Sequence, residues 1–116
     1  MGTADPRNHI PLPAAKFHIL VALSAGELHG YAIMQAVESS SDGLVKIGPA
    51  SLYGTLKRLV DDGLAEEVVK PILPGEDARR RYYRLTGLGV RVAAEETQRL
   101  ARLVAFARAH LEPGSA

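Results

Sequence analysis

Arg79, Arg80, Arg81 and Arg84 fall within six consecutive positions, behind Lys70 and a turn-rich segment containing Pro71, Pro74, Gly75 and Asp77. Guanidinium groups pair with phosphate oxygens in a forked geometry and fit narrow minor grooves, so such a run on a stiff support is chemistry for gripping a polyanion. The bland alternative is an edge strand blunted by charge against pairing with another sheet, but an all-arginine run exceeds that need. A second group lies upstream. On a helical wheel Leu52, Leu56, Leu59 and Val60 share one side, and Ala50, Ser51, Gly54, Lys57, Arg58 and Asp61 share the other, with Tyr53 on the border. A helix that enters a DNA major groove must be small where it approaches closely and carry donors where bases and phosphates lie. Gly54 costs a helix interior about 0.8 to 1 kcal/mol against Ala, so it marks either drift or a need for close approach. Lys46 adds a cation just ahead of this helix.

Two further constellations are open at this level. His29 opens a helical pattern, where free backbone N–H groups favour phosphate, so His29 and Tyr31 are both candidates to anchor a DNA backbone; His29 reads equally as a helix cap, and for Tyr31 packing is the favoured reading. Tyr82 and Tyr83 are adjacent on a strand, so one faces the core; Tyr83 is assigned there, and Tyr82 is either a hydroxyl donor to phosphate or a packing residue. With two Phe, four Tyr and no Trp in the chain, stacking on unpaired bases is not expected.

Catalytic and metal chemistry lack parts. The four histidines, His9, His18, His29 and His110, have no ligand-like spacing, and there is no cysteine for a thiolate site, nucleophile or disulfide. Gly87 and Gly89 follow a strand pattern without the third glycine of a dinucleotide loop. An enzyme, a metal and a cofactor are therefore not expected. Net charge is only +1, so any nucleic-acid surface must come from local clustering. The most apolar run, residues 19–25, is too short to span a bilayer and the first residues do not form a leader pattern, so a cytoplasmic protein is expected.

The elements that must position these groups can be read in order. A chain of 116 residues makes one domain with a modest core, for which help from a second subunit is reasonable. Residues 1–12 and 112–116 read as loose tails. A first helix is expected from Pro13 to Ala25, with Phe17, Leu20, Val21 and Ser24 at helical spacing and a stop at Gly26. A second runs from Gly30, with Tyr31, Ile33, Met34 and Val37 on one face, to a loop at residues 39–43. Residues 44–47 suggest a short strand or edge bridge. Pro49 and Gly63 bracket the third helix. Leu64 to Lys70 and Arg80 to Leu85 read as two antiparallel strands with a long tip. From Gly87 a long helix follows in which Val90, Ala93, Ala94 and Thr97, then Leu100, Ala101, Val104, Ala107 and Leu111, repeat at three and four. Such a helix is about 35 Å long, too long for this domain to cover alone, and a homodimer through it is the favoured reading.

Three segments, LPAAKFHILVALSAGELHGYAIMQAV, IGPASLYGTLKRLVDDGLAEE and RRRYYRLTGLG, resemble the PadR family of bacterial transcriptional regulators. The resemblance covers residues 12 to about 104. It implies a mainly α fold with a small β-hairpin wing: a winged helix-turn-helix domain over residues 13–86 and a dimerisation helix over 87–111. It further implies a sequence-specific DNA-binding regulator, a repressor acting as a homodimer on an inverted-repeat operator in double-stranded DNA. The recognition helix would run from Pro49 to Asp61, the wing would span Leu64 to Leu85, and the dimer interface would add Phe17 of the first helix to the long C-terminal one. The DNA-contacting set is then His29, Lys46, Ala50, Ser51, Tyr53, Gly54, Lys57 and Arg58, with Lys70, Arg79, Arg80, Arg81 and Tyr82 from the wing. Some family members release DNA on binding small aromatic molecules, but with few aromatics here no effector is assigned. The alternative function is a winged-helix protein-interaction module whose basic wing binds an acidic partner without specific DNA binding.

Overall fold

The computed structural model describes residues 5–75 and 77–111. A 3-10 turn at Pro6–His9 leads into α1 (Ala14–Leu23), β1 (Leu28–His29), α2 (Gly30–Ser40) and α3 (Pro49–Asp61). The hairpin β2 (Ala65–Pro71) and β3 (Arg79–Leu85) and the long α4 (Gly87–Leu111) complete the order. This is the expected mainly α fold with a small wing.

Local chemistry sets the helix ends. Pro49 starts α3 behind Gly48, where a missing N–H costs nothing. At its other end Gly63 takes φ +77. Its N–H donates to the Val60 carbonyl at 3.0 Å, and the Leu64 N–H donates to that of Leu59 at 2.9 Å. That paired Schellman arrangement turns the chain straight into β2 and buries Leu59 with Leu64.

Three antiparallel strands form the sheet, in the order β1-β3-β2. Tyr83 pairs with Glu67 on one side and Leu28 on the other, and Tyr82 with Val68 and His29. The short strand or edge bridge expected at residues 44–47 does not form, and the third strand is instead β1, between α1 and α2. Residues 44–47 stay irregular because Ser41 holds them: the Val45 N–H donates to Ser41 Oγ at 2.9 Å, and Val45 and Ile47 lean on the core without a ladder.

The core gathers Ile19, Leu20 and Leu23 of α1, Ile33 and Val37 of α2, and Leu52, Leu56 and Leu59 of α3 around Tyr83 and Val92. The α1 face differs from the expected one, since Val21 and Ser24 lie outside and Ile19 and Leu23 inside. That helix is apolar on nearly every side, so spacing alone did not choose its face. Val60 is likewise exposed, and Thr55 takes its place among the buried residues of α3.

Where β3 meets α4, Thr86 caps the helix. Its N–H donates to the Leu64 carbonyl at 3.1 Å, its hydroxyl donates to the Gly63 carbonyl at 2.6 Å, and it accepts the Gly89 N–H at 3.0 Å. Gly89 is buried so closely that a Cβ there would collide with the carbonyl group of Leu64, its carbon 2.9 Å away. Two turns later Glu96 is only 1% exposed. It accepts the Leu12 N–H at 2.8 Å and two hydrogen bonds from Arg99, at 2.6 and 3.0 Å. Those bonds, Arg99 first, hold the carboxyl below its ordinary value of 4.5 against the opposing effect of burial. Glu96 is thus an internal tie between α4 and the segment before α1. Residues 5–12 are not a loose tail either: the 3-10 turn packs on α4, and Ile10 and Leu12 are half-buried against the core. The expected C-terminal tail, 112–116, lies outside the described residues.

Candidate nucleic-acid interface

The hairpin alternates, and this sorts the arginines. Arg80, Tyr82 and Arg84 share one face with their partners Lys70, Val68 and Glu66, whereas Arg79 and Arg81 point to the face of Tyr83, toward α3. On the first face Lys70 and Arg84 are engaged. Lys70 is ion-paired with Glu27 and sits over the Tyr82 ring, 4.6 Å from its centroid. Arg84 bonds Glu66 at 2.6 Å and lies 3.8 Å from Glu27. Tyr82 is half-buried, edge-on to the His29 ring at 5.6 Å. By contrast no described carboxylate pairs with Arg79, Arg80 or Arg81.

These three arginines form one wall of a cleft of about 770 Å³. Its other walls are Tyr53 of α3 and His29, Gly30 and Tyr31 at the start of α2. Three sequence constellations therefore converge on one surface. His29 does cap α2, its Nδ1 accepting the Ala32 N–H at 3.4 Å, and still lines the cleft. Tyr31, expected to pack, is 63% exposed. It falls on the stripe of Gln35 and Glu38, one residue off the buried stripe of Gly30, Ile33 and Val37. Tyr31 and Gly30 are the cleft residues outside the DNA-contacting set expected from the sequence. Both depend on where α3 and the wing come to rest.

Along α3, Ala50, Ser51, Lys57 and Arg58 are exposed. Lys57 bonds Asp61 at 3.0 Å, and Arg58 reaches the Thr55 hydroxyl at 3.5 Å. A Cβ at Gly54 would meet no described atom within 4 Å, so the described fold does not require glycine there. Lys46 stands apart from the cleft and faces Glu38 at 3.6 Å. A smaller cleft between α3 and the wing is lined by Tyr53, Lys57, Glu67 and Arg81, with Tyr83 at its base. There the Tyr83 hydroxyl donates to Glu67 at 3.0 Å, and burial, helped by that bond, pushes its pKa up to about 12.

On α4, Val90, Ala94, Thr97, Ala101, Val104 and Leu111 are exposed, and Ala93, Leu100 and Ala107 are half-buried. Val90, Ala93, Ala94 and Thr97 form a groove with Val21, Ser24 and Leu85. Phe17 is half-buried and lies with Leu100 in a separate groove on α1 and α4. Further along α4 Leu103 and Phe106 add to the apolar surface, Phe106 at 67% exposure. No described helix is long and apolar enough to cross a membrane.

Two helices in sequence, α2 and α3, followed by an antiparallel hairpin packed beside the second, define a winged helix-turn-helix protein. Residues 19–95 match the model of the transcriptional regulator PadR-like family, and the chain belongs to that family, one of regulators rather than enzymes. A PadR family transcription regulator from Clostridium difficile superposes with a TM-score of 0.73 at 19% identity, over 86% of this chain and 100% of that one. Bacillus subtilis PadR, solved in complex with operator DNA, gives 0.63 at 22% identity over 84% and 62%. At these identities the likeness is one of fold. An uncharacterised 37.1 kDa protein of a Streptomyces fradiae transposon is 40% identical over 89 residues, which is 77% of this chain. The chain spans only 24% of that relative's length.

Proposed function

We propose that this chain is a sequence-specific DNA-binding repressor that acts as a homodimer on an inverted-repeat operator. The observation that carries the reading is the cleft itself: three arginines without a described carboxylate, set beside the exposed face of the second helix of a helix-turn-helix. The operator complex of Bacillus subtilis PadR supports it by likeness of fold. In this reading α3 enters the major groove with Ser51, Tyr53, Lys57 and Arg58, and Gly54 lets the backbone approach. Arg79, Arg80 and Arg81 hold phosphates or the adjacent minor groove. Residues 13–86 form the reader, and α4 brings two readers together. Its first turns are committed to the core through Gly89, Val92 and Glu96, while its outer turns expose an apolar stripe that a second copy would cover.

Selection of bound duplexes from a random pool tests this reading. It should return an inverted repeat with half-sites roughly 10 bp apart, one helical turn. Affinity should fall steeply with salt, and the selected duplex should exceed random sequence at every salt concentration. Equal binding of selected and random duplex would leave the basic wing as a surface for an acidic protein instead. Light scattering at micromolar concentration should give a dimer mass, and Val104→Asp should give a monomer.

A further inference from the structure

We infer that Gly30 is a positioning residue for DNA binding: by lacking a side chain it seats the Tyr53 phenol against the start of α2 and fixes its hydroxyl at the arginine-lined cleft. The inference rests on the DNA-binding reading above. Gly30 is buried as the first residue of α2, with φ in the ordinary range, so no turn geometry demands glycine. What occupies its missing Cβ is the end of Tyr53: a Cβ there would overlap the hydroxyl and stand 2.8 Å from Cζ and 3.4 Å from Cε1. Tyr53 comes from the middle of α3, so this contact bridges the two helices of the helix-turn-helix.

The seat is not needed to fill the core. Tyr53 is 46% exposed and forms part of the wall of both clefts beside the wing. Its hydroxyl makes no hydrogen bond with a described residue, in contrast to Tyr83, whose hydroxyl bonds Glu67. A phenol held at a defined place, its hydroxyl without a described partner and three guanidinium groups without a described carboxylate across the cleft, suits an anionic acceptor such as a phosphate oxygen of the DNA backbone. A Cβ at Gly30 would force the ring to swing. Because the obstacle is the free end of an exposed side chain, the fold can accommodate that movement while the hydroxyl is lost from its place.

The experiment is a double-mutant cycle on the full chain with Gly30→Ala and Tyr53→Phe, read by binding to a duplex selected with the wild type and by thermal melting. Both single variants should melt as the wild type or higher. Each should bind the selected duplex about tenfold more weakly, the size of one hydrogen bond to a charged group. The double variant should bind no more weakly than the worse single one, since both changes remove the same contact. Folded Gly30→Ala protein with unchanged affinity would overturn the inference, as would losses that multiply. If Gly30→Ala melts early, Tyr53→Phe with unchanged affinity overturns it alone. If the wild type shows no preference for any duplex, the DNA-binding reading itself fails, which is a different result from a wild type that binds and a Gly30→Ala variant that binds equally.

Discussion

The two ends of β3 are built on opposite electrostatic plans. At the tip Arg79, Arg80 and Arg81 have no described carboxylate partner, while at the root Tyr83, Arg84 and the following Thr86 each bond within the chain. The root continues into Gly89 and Glu96, where backbone and charge are packed to the limit of space. Internal partners fix geometry and raise stability, whereas unpartnered exposed charges add little to folding and leave their field for something outside. Substitutions at the root should therefore move stability, and substitutions at the tip should move affinity. A single variant that moved both at either end would break the distinction.

The largest effect is expected from Gly89→Ala. Its Cβ would meet backbone, the Leu64 carbonyl, which cannot swing aside as a side chain can. The start of α4 must move away from β2, at a cost of about 3 kcal/mol, the upper end for overpacking. Urea denaturation should show the loss, and stability within 0.5 kcal/mol of wild type, roughly the level of a neutral surface change, would show that the junction is looser than its geometry.

Next comes Glu96→Gln, which leaves Arg99 without its carboxylate. Arg99 is partly exposed, so the loss should be about 2 kcal/mol rather than the full cost of a broken buried pair. A carboxyl held below its ordinary value adds stability above its unfolded pKa and loses it as pH falls through the folded one. Wild-type stability should thus drop on acidification below 4.5, and the variant should show a shallower drop. Parallel curves for the two proteins would remove Glu96 as the source.

These two positions also show what the sequence could disclose. The bounds of α3 were legible because Pro49 and Gly63 act on their own neighbours, and the alternation of Tyr82 and Tyr83 is local in the same way. The burial of Glu96 was not legible because its partner Leu12 is 84 residues distant. β1 was missed since two residues, Leu28 and His29, show no period and are strand only by virtue of β3. Within the site, the cationic and polar members of the cleft were legible by type. Which arginines have no described carboxylate partner was not, because Glu27 and Glu66 reach Lys70 and Arg84 across the sheet.

At the tip, Arg79→Ala and Arg81→Ala should leave stability within about 0.5 kcal/mol of wild type. Each should weaken binding across all duplexes by roughly 1 kcal/mol and reduce the salt slope by about 1, the signature of one lost phosphate contact. Lys70→Ala is the internal contrast, since its charge is already paired with Glu27 and its loss should change the slope less. An equal change for Lys70 would mean that the ion pair opens on DNA.

The smallest effect on folding, and the sharpest on the comparison, is expected from Gly54→Ala. Gly54 and Gly89 are both helical glycines, but one faces open space and the other a carbonyl. Alanine at Gly54 should therefore stabilise the protein by about 0.5 to 1 kcal/mol, the ordinary gain from helix propensity. A methyl group there projects from the face proposed to meet DNA, so affinity for the selected duplex should fall while the melting temperature rises. Opposite movement of the two measurements would separate fold from function at one atom. If affinity held while stability rose, close approach would not be the reason for glycine at this position, and α3 would have to lie in the groove on a different side.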